Sequence, residues 1–262
     1  EELALVAGGC AANTASVLAK LGASSQVVGV VGRDRLGDIV LAELSACRVD
    51  VSRVVRHPSA PTSAVVVVVG RDGERSFLYQ EGGNALLAAD LVRDVDLAQA
   101  GIVHVGGAMK LPRLALPEVL ERARRAGCLT SLDTDWDTSG RWFETVEPAL
   151  PFLDILFTNE EEGAKLTGEQ HPRSIAERLR RGGVGTVVVK RGERGALSYG
   201  EDGLRSVDGF DVVVRDSTCA GDAFVAGHLF ALSRGWSQQA ALLAANAASA
   251  SASVQPVSAA AI

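Results

Sequence analysis

The amino-acid sequence predicts an α/β fold, a doubly wound and mainly parallel sheet flanked by helices, with a small β lid. Two observations predict the sheet. From Ile102 onward, short apolar runs alternate with longer segments of helical periodicity. The runs Ile155–Phe157 and Thr186–Val189 are apolar almost throughout, as suits strands covered on both faces. A third observation predicts the lid. Ser63–Val69 and Ser76–Tyr79 flank Arg71-Asp72-Gly73-Glu74, and Asp-Gly favours a hairpin turn over a helical crossover.

Each element follows in chain order. Ala12–Leu21 reads as a helix with Ala15, Leu18 and Ala19 on one face, stopped by Gly22. Val27–Val31 reads as a buried strand and Leu36–Leu44 as a helix. Leu3–Val6 and Val51–Arg56 are expected to join the 63–79 hairpin in the lid, so that its strands come from about 1–8 and 49–80. Such an appendage is too small to be stable alone and would bury its apolar side over a cleft on the core. Core strands are expected at Ile102–Val105, Leu129–Leu132, Ile155–Phe157 and Thr186–Val189. The helices between them are Pro117–Ala126, Phe143–Ala149, Glu160–Leu166 and Ser174–Arg181. Ala196–Tyr199 and Val212–Val214 read as an antiparallel pair, and Gly221–Ser233 and Gln238–Ser253 as two closing Ala-rich helices.

Composition narrows the function. A chain of 262 residues suffices for one large α/β domain, expected over 1–262. A net charge of −6 gives no bulk attraction to nucleic acid or to an anionic membrane. The run Val65–Val69 falls far short of the roughly 20 residues that span a bilayer. No basic-then-apolar leader opens the sequence. Cys10, Cys47, Cys128 and Cys219 are scattered, so a zinc site is not expected and free thiols in a reducing cytoplasm are. GxGxxG, GxxxxGK[ST] and GxSxG are all absent, which argues against a nicotinamide-dependent oxidoreductase, a P-loop NTPase and an α/β-hydrolase.

Four segments carry candidate chemistry. In Asp216-Ser217-Thr218-Cys219-Ala220-Gly221-Asp222, small residues lead into an apolar helix. The first amides of a helix lack partners and carry partial positive charge, so they suit a phosphate. Asp222 would face an incoming hydroxyl, or would simply favour the positive helix end. In Gly8-Gly9-Cys10-Ala11-Ala12-Asn13, paired glycines allow close backbone approach and Asn13 offers a donor and an acceptor to a polyol; an Asn near a helix start after a Gly turn is the plainer use. Asn159-Glu160-Glu161-Glu162 follows a strand, where carboxylates suit magnesium or an ordinary capped first turn. Lys190 through Gly195 is a nucleotide loop or a charged turn.

Taken in order, Gly-Gly-x-x-x-Asn, Asn-x-x-Glu, Gly-x-x-Gly after a strand and Asp-x-Thr-x-Ala-Gly-Asp resemble the ribokinase-like (PfkB) carbohydrate kinase family over nearly the whole chain. Val30 through Gly37, Pro61-Thr62 with Asp72 through Arg75, and Asp133 through Asp137 with Arg141-Trp142 extend the resemblance. It implies the ribokinase-like fold, with the nucleotide-binding part drawn from about 155–262. It implies an ATP-dependent kinase acting on a hydroxyl of a sugar or sugar-like small molecule. By position, Asp222 matches the catalytic base, and Cys219, Ala220 and Gly221 the anion hole. Gly8, Gly9 and Asn13 match substrate contacts. Asn159 and Glu162 match the positions that organise Mg2+ through water. Lys190, Gly192 and Gly195 match the nucleotide loop, and Asn246 a residue near the adenine. Asp216 and Thr218 match positions where some members hold K+.

Two departures stand out: Cys219 replaces a glycine or alanine, and Lys190-Arg191 a Thr-Leu-like pair. The family's first strand, with its substrate-binding aspartate, would lie ahead of Glu1. Met109, Lys110, Asp133 and Arg141 are expected either at the pocket or as loop residues. The resemblance also allows a homodimer paired through the lid, while cysteine usage, charge and hydropathy give the expectation of a cytoplasmic protein with no nucleic-acid or membrane partner. The alternatives are a catalytically silent ligand-binding protein of the same fold and a nucleoside kinase.

Overall fold

The computed structural model describes residues 5–69 and 75–254. It begins with α1 (Cys10–Lys20), β1 (Gln26–Gly32), α2 (Arg35–Ala46) and β2 (Asp50–His57). β2 lies parallel to β1, since α2 carries the chain back to the end where β1 started. The hairpin β3 (Ala64–Val69) and β4 (Arg75–Gln80) forms a second, separate two-stranded sheet. The single appendage expected from sequence is thereby corrected, because Val51–Arg56 pairs with β1 and not with the hairpin. Leu5 and Val6 are not in a strand. Leu3 and Ala4, and the turn Arg71–Glu74, lie outside the described residues.

The remaining elements are α3 (Asp94–Leu97), β5 (Ile102–Val105), α4 (Leu116–Arg125), β6 (Leu129–Asp133), α5 (Phe143–Val146), β7 (Ile155–Asn159), α6 (Glu160–Thr167), α7 (Pro172–Arg180), β8 (Thr186–Lys190), β9 (Ala196–Gly200), β10 (Gly203–Val207), α8 (Ala220–Ser233) and α9 (Gln238–Ser253). They build a sheet in the order β10-β9-β8-β7-β6-β5, with β5 to β8 parallel and β9 and β10 antiparallel. Alternate residues of a strand point to opposite faces. Leu156, Val187 and Val189 therefore pack with Val119, Leu120, Ile175 and Leu179 of α4 and α7. Ile155, Phe157 and Val188 pack on the other face with Phe224, Leu229 and Leu242 of α8 and α9. Both faces are covered, which is why Ile155–Phe157 and Val187–Val189 read as unbroken apolar runs.

Two more expectations are corrected. The partner of β9 is Gly203–Val207, not Val212–Val214. Gly203 at φ +87° closes a tight return after Glu201-Asp202, and the shorter loop wins; Val213 is left 85% exposed. The helix expected over Phe143–Ala149 ends at Val146 and continues as a 3-10 segment, Glu147–Phe152, because Pro148 and Pro151 cannot sustain the α ladder. Among the described residues, no helix is long and apolar enough to cross a membrane.

Close main-chain approaches set where the functional segments lie. A Cβ on Gly106, just past β5, would come within 2.7 Å of Ala11 N, so glycine lets the start of α1 rest on that strand end. Gly227 allows α8 and α9 the same intimacy, since its Cβ would lie 2.7 Å from Ala244 O.

Candidate active site

The C-terminal ends of β5 to β8 and the N-terminal ends of α1 and α8 converge. Cys219 caps α8 in the left-handed region, at φ +64°. Asp222, in the first turn, accepts a hydrogen bond from Asn13 Nδ2 at 2.7 Å, bringing together two motifs 209 residues apart. The same Asn13 amide lies 3.1 Å from Cys219 Sγ, and Thr14 Oγ1 donates to Asp222 O at 3.4 Å. Gly9, at φ +109°, is the N-cap of α1, and neither Gly8 nor Gly9 has an atom within 4 Å of a built Cβ, so a ligand has room there. Ala220 N–H points back to Ser217 O at 3.2 Å.

Burial pushes the Asp222 carboxyl up to about 7; the bond from Asn13 opposes this, Asp133 and Asp135 add to it, and Lys190 counters. Burial also raises the Cys219 thiol to about 12 and the Cys10 thiol well above its ordinary value. Both thiols are therefore neutral, small lining groups.

Below this corner lies a charged interior. Lys190 Nζ, at the end of β8, donates to both carboxylate oxygens of Asp133 on β6, at 2.7 and 2.9 Å. Burial works against the ammonium, but Asp133 and Glu162 outweigh it and hold its pKa above the usual lysine value. Asn159 and Glu162 form a capping box on α6, with Glu162 N donating to Asn159 Oδ1 at 2.8 Å. Glu162 Oε2 also accepts from Thr134 Oγ1 at 2.6 Å. Burial, with Asp133 nearby, raises the Glu162 carboxyl. Among the described residues, no three His, Cys, Asp or Glu side chains group as a direct metal cage.

The loop after β8 is a 3-10 turn over Gly192–Arg194, closed by Arg191 N–H to Gly195 O at 2.9 Å. Gly195 is required by packing, since a Cβ there would lie 2.1 Å from Val207 O. Gly192, at φ +59°, faces open space. Arg194 pairs with Glu160. Asn246 is buried and donates to Asp208 O at 2.9 Å. Next to it, a cavity of about 320 Å³ is lined by Phe210, Val212, Ala247, Ala250 and Val254, among others. Thr218 N–H donates to Asp216 Oδ1 at 2.8 Å, and the amides of Arg215 and Asp216 both reach Ser253 O on α9.

On the lid side, Asn84 Nδ2 donates to Tyr79 Oη at 3.0 Å, and Lys110 Nζ sits 5.1 Å from the Tyr79 ring centroid. Lys110 also donates to Trp136 O at 2.7 Å. Asp135 faces Cys10, with its carboxyl raised mainly by burial. Lys110 and Asp133 thus join the site, whereas Met109 packs against the core and Arg141 is exposed beside Ser139. Asp34 ties the lid's base. It accepts from Thr62 Oγ1 at 2.6 Å, Thr62 N at 2.8 Å and Gly37 N at 2.8 Å.

Sequence reasoning missed the Lys190–Asp133 pair, the Tyr79–Asn84 contact and His104. No signal foretold the first, since it joins segments 57 residues apart; the second is a local contact five residues apart, across the end of the hairpin's second strand. His104 Nδ1 lies 3.0 Å from Ser131 Oγ, and burial lowers its pKa to about 4, so it is neutral.

A family model described as pfkB family carbohydrate kinase matches residues 1–261. Probable fructokinase-6, chloroplastic, of Arabidopsis thaliana is 30% identical over 234 residues, which make up 85% of this chain but 61% of that protein. The 2-dehydro-3-deoxygluconokinase of Bacillus subtilis (strain 168) is 31% identical over 254 residues, 91% of this chain and 78% of that one. Fructokinase from Vibrio cholerae O395, solved in a fructose, ADP and calcium ion bound form, has a TM-score of 0.84 at 27% identity, covering 95% of this chain and 85% of that chain.

Proposed function

We propose, for a chain that belongs to the pfkB family of carbohydrate kinases, that it transfers the γ-phosphoryl group of ATP to a hydroxyl of a sugar or sugar-like small molecule. One observation carries this reading: the Asp222 carboxylate stands in the first turn of α8 and is held there by Asn13 from α1 at 2.7 Å. A base, a hydrogen-bonding side chain for a polyol and a phosphate-seeking helix end share one corner.

Asp222 accepts the hydroxyl proton as the acceptor oxygen attacks phosphorus. The main chain at Cys219, Ala220 and Gly221 stabilises charge on the transferring group. Gly8, Gly9 and Asn13 position the acceptor. Magnesium, when bound, neutralises charge on the phosphate oxygens. Asn159 and Glu162 would organise it through water, and the surplus of buried carboxylates around Lys190 suits a dication. The turn at Gly192 and Gly195 lies along the nucleotide, and the apolar cavity beside Asn246 takes the adenine ring. Asp216 and Thr218 border a K+ site. The lid would close over the acceptor and limit ATP hydrolysis by water.

The outer face of the lid, with Val66, Val68 and Leu78 at 55, 53 and 68% exposure, supports pairing with a second copy. The four cysteines are unpaired, which supports a reducing compartment such as the cytoplasm. Neither nucleic acid nor membrane is proposed as a partner. A silent binding protein and a nucleoside kinase are separated from this reading by one experiment. ADP release from Mg-ATP is measured against fructose, 2-dehydro-3-deoxygluconate, other sugars and nucleosides. Release above the acceptor-free rate with a sugar supports the proposal; release with none, or with nucleosides only, overturns it.

A further inference from the structure

We infer that Asp135 selects the acceptor: its carboxylate takes hydrogen bonds from the hydroxyls of a neutral sugar and turns away sugars that carry a carboxylate of their own. The inference rests on the kinase reading and deepens it, by naming the class of acceptor. Place is the first ground. Asp135 follows β6 and lies against Cys10, the first residue of α1, directly after the open space at Gly8 and Gly9. Its Oδ2 would lie 3.6 Å from a Cβ on Gly107, past the end of β5. Its charge acts on Asp222 on one side and on Tyr79 of the lid on the other. Asp135 therefore stands between the base and the lid, where the body of the acceptor would lie.

An open acceptor atom is the second ground. Asp135 Oδ1 accepts from Trp136 N at 2.6 Å. Among the described residues, Oδ2 meets only the Cys10 thiol, at 3.8 Å, and a thiol is a weak donor. A partly buried carboxylate oxygen is costly unless donors reach it, and burial raises the Asp135 carboxyl accordingly. Lys110 does not supply that donor, since its Nζ bonds to Trp136 O at 2.7 Å and lies over the Tyr79 ring. Sugar hydroxyls would supply it. Charge is the third ground. Asp133 and Asp135 both act on Asp222, and Lys110 offsets only part of the charge on Asp135. A carboxylate on the acceptor would add a like charge at close range in a partly dry site, whereas a neutral polyol meets no such repulsion.

The test measures kcat/KM by ADP release from Mg-ATP with fructose, ribose and 2-dehydro-3-deoxygluconate, for wild type, D135N and D135G. Asp135 holds φ at +68°, which asparagine and glycine both tolerate, so both variants should fold. Calorimetric titration of magnesium β,γ-imido-ATP checks this, with affinity expected within about threefold of wild type. Wild type is expected to favour its better neutral sugar over the acid by at least about 100-fold, and D135N to bring that ratio below about tenfold. D135G should raise KM for the neutral sugar at least about tenfold and change kcat less, the split expected of a group that holds the acceptor without taking its proton. A shortfall in any of these three measures, or an equal loss of imido-ATP affinity, overturns the inference. Wild type that releases ADP with none of the sugars, the acid included, would instead sink the kinase reading, and the role of Asp135 with it.

Discussion

Asp222 meets two opposed demands. Its carboxyl must be ionised to take a proton, yet burial lifts it to about 7 from an ordinary 3.8. Between those values the folded protein holds a proton that the unfolded chain has released. The stability this provides is complete below about 3.8 and is lost as pH rises through about 7. Activity runs the other way, so kcat/KM should fall as pH drops below about 7, and a flat profile from pH 5.5 to 8 would contradict Asp222 as the base. Asp222→Asn should lower kcat by at least about 100-fold while leaving imido-ATP binding nearly unchanged; turnover near wild type refutes the assignment. The same variant should melt higher than wild type at pH 8 and lose that advantage at pH 4, as thermal scans would reveal. Asp222 and Asn13 stood out from their motifs, and the structure brings the two side chains together at 2.7 Å. The raised pKa was not legible there, because it comes first from burial in the folded chain and then from Asp133 and Asp135, which are remote in sequence.

Whole elements are held by a few contacts that propensity does not reveal. Asp34 caps α2 and, through Thr62, fastens the strand leading into the lid. Hydrogen bonds from Thr62 and Gly37 hold its carboxyl below the ordinary value, so this anchor is present at neutral pH and is lost as pH falls through the depressed pKa. Asp34→Ala should raise the sugar KM several-fold and leave imido-ATP affinity alone, since the lid's base lies away from the nucleotide turn; steady-state kinetics and calorimetry decide. Gly195 is a stricter case. Its φ of +79° and the 2.1 Å approach of a built Cβ to Val207 O leave no room for a side chain. Gly195→Ala should cost about 2 kcal/mol or more in urea unfolding, and a loss within experimental error would show that the turn can shift. The sequence placed Gly195 in a loop after a strand and Asp34 in a segment shared with the family, but did not identify the neighbours that make them necessary.

At the scale of the molecule, the lid stands as an exposed hairpin that is apolar on both faces. Tyr79 reaches the site from one face, while Val66 and Leu78, opposite each other in the ladder, point away from it. A second copy would cover that outer face. Sedimentation should therefore give a dimer for wild type and a monomer for V66E/L78E, with unchanged circular dichroism; a monomeric wild type at micromolar concentration would remove the pairing. Substituting only the outer face leaves Tyr79 in place, so assembly and acceptor binding are tested apart.

The parallel core, its closing helices and the placing of Asp222 at a helix start were determined by the sequence alone. Apolar runs on doubly covered strands and small residues ahead of a helix are local signals that survive without a partner. Which strand pairs with β1, which segment returns against β9, and the seating of Lys190 on Asp133 were decided only by the tertiary structure. Those outcomes depend on loop closure and on charges brought together across long stretches of chain, where no local pattern records the partner.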